Sequence, residues 1–328
     1  MNIVVTGGAG YVGTVVTSEL LRAGHRVIVY DNLSHGARAA VPGGADFVMG
    51  DAGDHQTLSR VFQSAKPEAV MHFAGSIEAG ESMKYPERYF RNNTATTLTL
   101  LETMLKYGVE RFVFSSTAAL YGDPLRTPIE ENDPLNPTNA YGESKLLVER
   151  MLPWFHRIHG LRYASLRYFN AAGATPDGGE AHEPESHLIP LVLQVALGQR
   201  QQIAIYGTDY PTPDGTCVRD YVHVMDLAAA HLLALDALSR CGQLIYNLGN
   251  GRGFSVRDVI EVARQVTGHP IPAAESPRRL GDPAVLVASS TKIQRELGWK
   301  PRYTDLESIV LSAWDWHRNH PNGYEQCG

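Results

Sequence analysis

A chain of 328 residues is long enough for one large or two medium domains with a real core. Its 43% hydrophobic and 20% charged content is that of an ordinary globular protein, and a formal charge of −6 leaves no electrostatic footprint for nucleic acid or an anionic membrane. Any anionic ligand must therefore be held by local cations and backbone amides. Cys217, Cys241 and Cys327 are scattered, with no CxxC and no metal-ligand spacing, which points to a reducing, cytoplasmic setting and no metal. The strand-like opening Met1-Asn2-Ile3-Val4-Val5 leaves no room for a signal peptide, and no apolar run approaches membrane-spanning length.

Ile3-Val4-Val5 reads as a buried strand ended by the glycine-rich turn Thr6 to Gly13. Val12, Val15, Val16, Leu20 and Leu21 then recur at helical spacing until Gly24, and Arg26 to Tyr30 is a second strand closed by Asp31. Strand, glycine turn, helix, strand and acid is the opening of a dinucleotide-binding unit. Gly7, Gly10 and Gly13 would supply the tight turn, the close approach of backbone to a pyrophosphate and close helix packing. Asp31 would accept from the adenosine ribose and repel a 2′-phosphate, which favours NAD over NADP.

Strands and helices then alternate: strands at 46–49, 69–73, 112–115 and 163–168, with helices at 89–107 and 141–159. This implies an α/β fold, a Rossmann-like doubly wound parallel sheet, with ligands beyond the carboxyl ends of its strands. Past Asn170 the texture changes. Residues 174–184 read as a loop, 188–197 as a helix, 203–206 as a strand, 225–238 as a helix and 306–317 as the last helix. The expected division is a cofactor domain over 1–170 and a smaller mixed α/β lobe over 171–328, mainly substrate-binding, with segments that can return to the first domain.

Tyr141 and Lys145 stand four apart on one expected helix, so they share a face. A lysine there would favour the phenolate, as a general base acting on a sugar hydroxyl requires. Taken alone, the pair reads rather as an aromatic stem with a lysine packed along it. The glycine turn and the hydroxyl cluster Ser115-Ser116-Thr117 upstream favour chemistry.

These stretches resemble the extended short-chain dehydrogenase/reductases, and within them the 4-epimerases of UDP-glucose and UDP-galactose. The resemblance rests on TGGAGYVG (6–13), DNLS (31–34), HFAG (72–75), GES (80–82), SSTAALYG (115–122), YGESK (141–145), RYFNAAGA (167–174), YGTDYPTPDGTCVRDYVHVMDLA (206–228) and RRLGDPAVL (278–286). It implies reversible inversion at C4 of a UDP-hexose through a transient 4-keto sugar, with tightly bound NAD. Tyr141 would be the base, Lys145 would lower its pKa and hold the nicotinamide ribose, and Thr117 would bond the C4 oxygen.

The implied cofactor contacts, beyond the three glycines, Tyr141 and Lys145, are Tyr11, Val12, Asp31, Asn32, Ser34, Asp51, Ala52, Phe73, Ala74, Gly75, Asn93 and Phe169. The implied UDP-sugar contacts, beyond Thr117, are Asn170, His187, Leu188, Ala204, Tyr206, Arg219, Arg279 and Asp282. The residue types agree: arginine forks suit a diphosphate, Tyr206 a uracil face and Asp282 a ribose hydroxyl. Without the resemblance, Arg219 and Arg279 read equally as surface salt bridges and Asn170 as a turn residue.

Two positions depart from the family pattern. Ile77 stands where many epimerases carry a lysine that reaches the cofactor phosphates. Leu286, neither tyrosine nor a small residue, stands at the position that limits the sugar's C2 substituent, so UDP-N-acetylhexosamines are an alternative substrate, as are UDP-pentoses. A 4,6-dehydratase would need Asp-Glu after Thr117, where this chain has Ala118-Ala119. A non-catalytic NAD-binding regulator usually lacks the tyrosine or the lysine. The resemblance further implies a homodimer through the helices at 89–107 and 141–159.

Overall fold

The computed structural model describes residues 1–279 and 281–324; Leu280 of the RRLGDPAVL stretch and Cys327 lie outside them. Its centre is a seven-stranded sheet in the order β11-β6-β5-β4-β1-β2-β3. The first six strands are β1 (Asn2–Thr6), β2 (Arg26–Asp31), β3 (Asp46–Met49), β4 (Ala69–His72), β5 (Arg111–Thr117) and β6 (Arg162–Tyr168). The seventh is β11 (Gln243–Leu248), and every neighbouring pair is parallel. The strand order reverses between β1 and β4, which opens a crevice at their carboxyl ends.

Both faces of the sheet are covered, so its strands can be apolar throughout: Ile3, Val4 and Val5 are all fully buried. On one face α1 (Tyr11–Arg22) packs with α8 (Val224–Ala237). On the other lie α2 (His55–Ala65), α5 (Thr96–Lys106) and α6 (Ala140–His159).

The helix expected over 89–107 is interrupted. After the short α3 (Ala79–Ser82), α4 (Pro86–Tyr89) passes into a π turn over Phe90–Ala95 and only then into α5. The widened turn holds Asn93 buried inside. There its amide donates to Ser76 O at 3.0 Å and Ser144 Oγ at 2.9 Å, and its Oδ1 accepts from Ser76 N at 2.8 Å. Such π turns recur at functional sites.

The second half builds three small sheets. Strand β7 (Asn170–Ala172) pairs with β10 (Tyr221–His223), and β8 (Ile203–Tyr206) with β13 (Ala273–Ser276). The two-residue β9 (Val218–Arg219) lies between β12 (Phe254–Ser255) and β14 (Val285–Leu286). Helices α7 (Leu188–Ala196), α9 (Val256–Thr267) and α11 (Leu306–Asn319) close a separate core around them. The chain of α8 and β11 returns to the main sheet, and α10 (Thr291–Leu297) packs on β11. No helix among the described residues is long and apolar enough to cross a membrane.

Candidate active site

One cavity of about 700 Å³ runs from the β1/β4 crevice to the small sheets of the second half. That volume is within the range of ligand pockets, roughly 300–1,000 Å³. Of the site residues expected from sequence, the structure brings all but Asn93 onto its wall. Asn93 stands behind the wall, its amide wholly committed to Ser76 and Ser144.

The first wall is backbone. Gly7 has φ +72°, and a Cβ on it would stand 2.4 Å from Ala74 N; a Cβ on Gly13 would stand 2.2 Å from Gly7 O. Helix α1 starts at Gly10 with no side-chain cap and no acid in its first turn. Its positive end is therefore free for an anion. Asp31, at the end of β2, accepts from Ala9 N at 3.0 Å and Leu33 N at 2.8 Å. Burial raises its pKa, and the two amide bonds act against that. Asn32 Nδ2 donates to Asp51 Oδ2 at 2.8 Å. Turn, helix end and carboxylate fit a dinucleotide's pyrophosphate and ribose.

Between the walls, Thr117 at the end of β5 meets Tyr141 and Lys145 on the first turns of α6. The helix is started there by Asn139, whose Oδ1 accepts Gly142 N at 2.8 Å. Lys145 Nζ donates to Ser115 O at 3.1 Å, and burial lowers its pKa to about 8. Tyr141 differs from the expectation of a lysine-depressed phenol. Burial raises its pKa, the Glu78 carboxylate adds to the rise, and only a hydrogen bond with Thr117 opposes it. The Lys145 ammonium instead donates to the Ser115 carbonyl.

The second wall is made of side chains that pair with one another. Arg219 Nη2 lies 3.1 Å from Asp282 Oδ1, and the Arg279 guanidinium covers the Tyr206 ring 4.0 Å from its centroid. Tyr206 thus offers no bare double face, and Asp282 already has a donor. His187 Nδ1 lies 2.8 Å from Glu180 Oε1 and 3.0 Å from Glu185 Oε1. Burial pushes the His187 pKa down, but these two carboxylates outweigh it and hold it well above the usual histidine range. Leu286 is buried in this wall, and Ile77 lines the cavity where a lysine was absent from the sequence.

Sequence reasoning placed Ser115 in the hydroxyl cluster without a contact of its own, and missed Glu78, Tyr168 and Arg200. Ser115 Oγ is hydrogen-bonded to the Tyr168 hydroxyl, and both line the cavity beside Lys145. Their signal was present in SSTAALYG and RYFNAAGA. Glu78 and Arg200 reach the wall through tertiary approach alone and had no local signal.

The family model described as "NAD dependent epimerase/dehydratase family" matches residues 3–249. A UDP-glucose 4-epimerase of Halalkalibacterium halodurans is 56% identical over 99% of this chain and 98% of its own length. One from Streptomyces lividans is 54% identical over 99% and 98%. The crystal structure of UDP-glucose 4-epimerase from Bifidobacterium longum in complex with NAD+ and UDP superposes with a TM-score of 0.96 at 39% identity, covering 99% of this chain and 100% of that one. With the crevice, the glycine cradle and the Tyr141–Lys145 pair in one cavity, the chain belongs to the NAD dependent epimerase/dehydratase family.

Proposed function

We propose that this chain is a UDP-glucose 4-epimerase, an isomerase that interconverts UDP-galactose and UDP-glucose through a transient 4-keto sugar with tightly bound NAD. The observation that carries the reading is the single cavity in which Tyr141, Thr117 and Lys145 stand between a dinucleotide cradle and an arginine-lined wall. Relatives named for this activity match the chain end to end.

Gly7, Gly10, Tyr11, Val12, Gly13, Asp31, Asn32, Ser34, Asp51, Ala52, Phe73, Ala74, Gly75 and Phe169 hold NAD, with Asn93 fixing the 75–77 turn from behind. When bound and oxidised, NAD supplies a reversible two-electron acceptor at C4 and a positive charge that favours the phenolate. Tyr141 takes the proton of the C4 hydroxyl, and Thr117 hydrogen-bonds the same oxygen. Lys145 keeps a cation beside the pair. After the keto sugar turns in the cavity, Tyr141 returns the proton to the same oxygen.

The second wall holds the UDP part: Asn170, His187, Leu188 and Ala204 line it, Arg219 and Arg279 grip the diphosphate, and Asp282 accepts from the ribose. Uracil stacks on Tyr206 on the side away from Arg279 or displaces it. The cofactor half is residues 1–170 together with α8 and β11, and the rest of 171–328 binds the sugar nucleotide. The protein acts in the cytoplasm as a homodimer joined through the 86–106 helical stretch and α6. Exposed Leu98, Trp154 and Ile158 on these elements support that face, and a monomer by sedimentation at micromolar concentration would remove it.

Proton NMR of UDP-galactose mixed with protein purified without added cofactor tests the activity. Growth of UDP-glucose anomeric signals to a stable mixture, with no net NADH, is expected; unchanged UDP-galactose even with NAD added would refute it.

A further inference from the structure

The segment between the lobes, residues 173–187, is held firmly at its flanks. Tyr11 donates to Gly173 O at 2.5 Å, Gly179 N donates to the Tyr324 hydroxyl at 3.0 Å, and a Cβ on Gly179 would stand 2.2 Å from Trp316 Cδ2. On this frame Glu180, His182, Glu185 and His187 converge, with one potential ligand atom from each lying within 4.8 Å of all the others. Sequence reading assigned no metal because it looked to cysteine spacing; the signal was the run Glu-x-His-x-x-Glu-x-His.

Two imidazoles and two carboxylates are a donor set for zinc and its first-row neighbours. With metal–ligand bonds of about 2.0–2.2 Å, neighbouring ligand atoms stand ~2.9 Å apart around an octahedral ion and ~3.4 Å around a tetrahedral one. Here Glu180 Oε1 is 2.8 Å from His187 Nδ1 and 3.3 Å from His182 Nδ1, and Glu185 Oε1 is 3.0 Å from His187 Nδ1. A second observation separates this from an ordinary ion-pair cluster. His182 Nδ1 is buried and makes no hydrogen bond among the described residues, although the Glu180 oxygen is in reach. Once deprotonated, that ring nitrogen presents a lone pair to an ion. Two carboxylates match the charge of one divalent cation, which would take the place of the protons on the two imidazoles.

We propose that Glu180, His182, Glu185 and His187 bind one divalent cation of the zinc class. The site sits between Tyr11 at the start of α1 and Leu188 at the start of α7, so the ion would hold the two walls of the cavity at a fixed spacing. It needs no substrate, and its failure would leave the epimerase reading untouched.

The test is calorimetric titration of Zn²⁺ into the full-length NAD-loaded protein after chelator treatment, beside His182→Gln and Glu185→Gln. The expected result is one ion per chain, weakened in both variants by more than the roughly tenfold that losing an outer-shell partner costs. No binding heat, or unchanged affinity in either variant that melts like the parent, overturns the proposal. Should a variant fail to fold, Co²⁺ added to the parent protein decides: a visible ligand-field band abolished by equimolar Zn²⁺ supports the site, and its absence overturns it.

Discussion

The two walls of the cavity are built from different materials. The cofactor wall is backbone: Gly7 and Gly13 leave no room for a Cβ, and two amides fix Asp31. The sugar-nucleotide wall is made of long side chains whose partners are each other, Arg219 on Asp282 and Arg279 on Tyr206. A backbone wall is formed before its ligand arrives and has little rotamer freedom to lose. A side-chain wall must exchange partners, so its affinity is the difference between two sets of contacts.

Tyr141 stands at the seam, and its replacement should separate chemistry from both walls. Tyr141→Phe should lose about 10²–10⁴-fold in kcat, the range for a general base, while keeping the fold and bound NAD. Full turnover in that variant would take Tyr141 out of the mechanism.

A blow to the backbone wall should be structural as well as functional. Gly13→Ala drives a methyl against the Gly7 carbonyl, so about 3 kcal/mol of stability and most NAD retention should be lost together. A melt and the absorbance of the purified protein check both. The side-chain wall should instead yield by degrees. Arg219→Lys keeps the charge and loses the fork, so the KM for UDP-galactose should rise about tenfold with the melting temperature nearly unchanged.

The smallest effect is one of pH. Lys145 titrates near 8 when buried and near its ordinary value when unfolded, so above pH 8 the unfolded chain binds the extra proton. Stability of the cofactor-free protein from this group therefore rises with pH, by about 1 kcal/mol between pH 8 and 9. Denaturant titrations of the parent and Lys145→Met should differ by that slope. Parallel curves would mean that Lys145 is not desolvated.

The same contrast explains what could be read without a structure. Strand, glycine turn, helix, strand and Asp31 were legible because a parallel strand buried on both faces is a run of Val and Ile, and because glycine marks where backbone must come close. Strands 46–49 and 203–206 fall at the bounds expected for them. The pairings of β9, β12 and β14 were not legible, since two-residue strands have no period. Nor was the seventh strand, Gln243–Leu248, which is placed by α8 docking on α1. The π turn around Asn93 answers to Ser76 and Ser144, which lie 17 and 51 residues away in the chain. The resting partners of the second wall were hidden for the same reason: Arg219 and Asp282 are 63 residues apart.

The most direct test of the account is an isotope one. UDP-galactose carrying deuterium at C4 is incubated in ordinary water with the protein as purified, and the UDP-glucose formed is examined by NMR. Deuterium kept at C4 of the inverted sugar is the result predicted for oxidation and return of the same hydrogen within one closed cavity, with Tyr141 moving only the oxygen-bound proton. Loss of the label to water would contradict it.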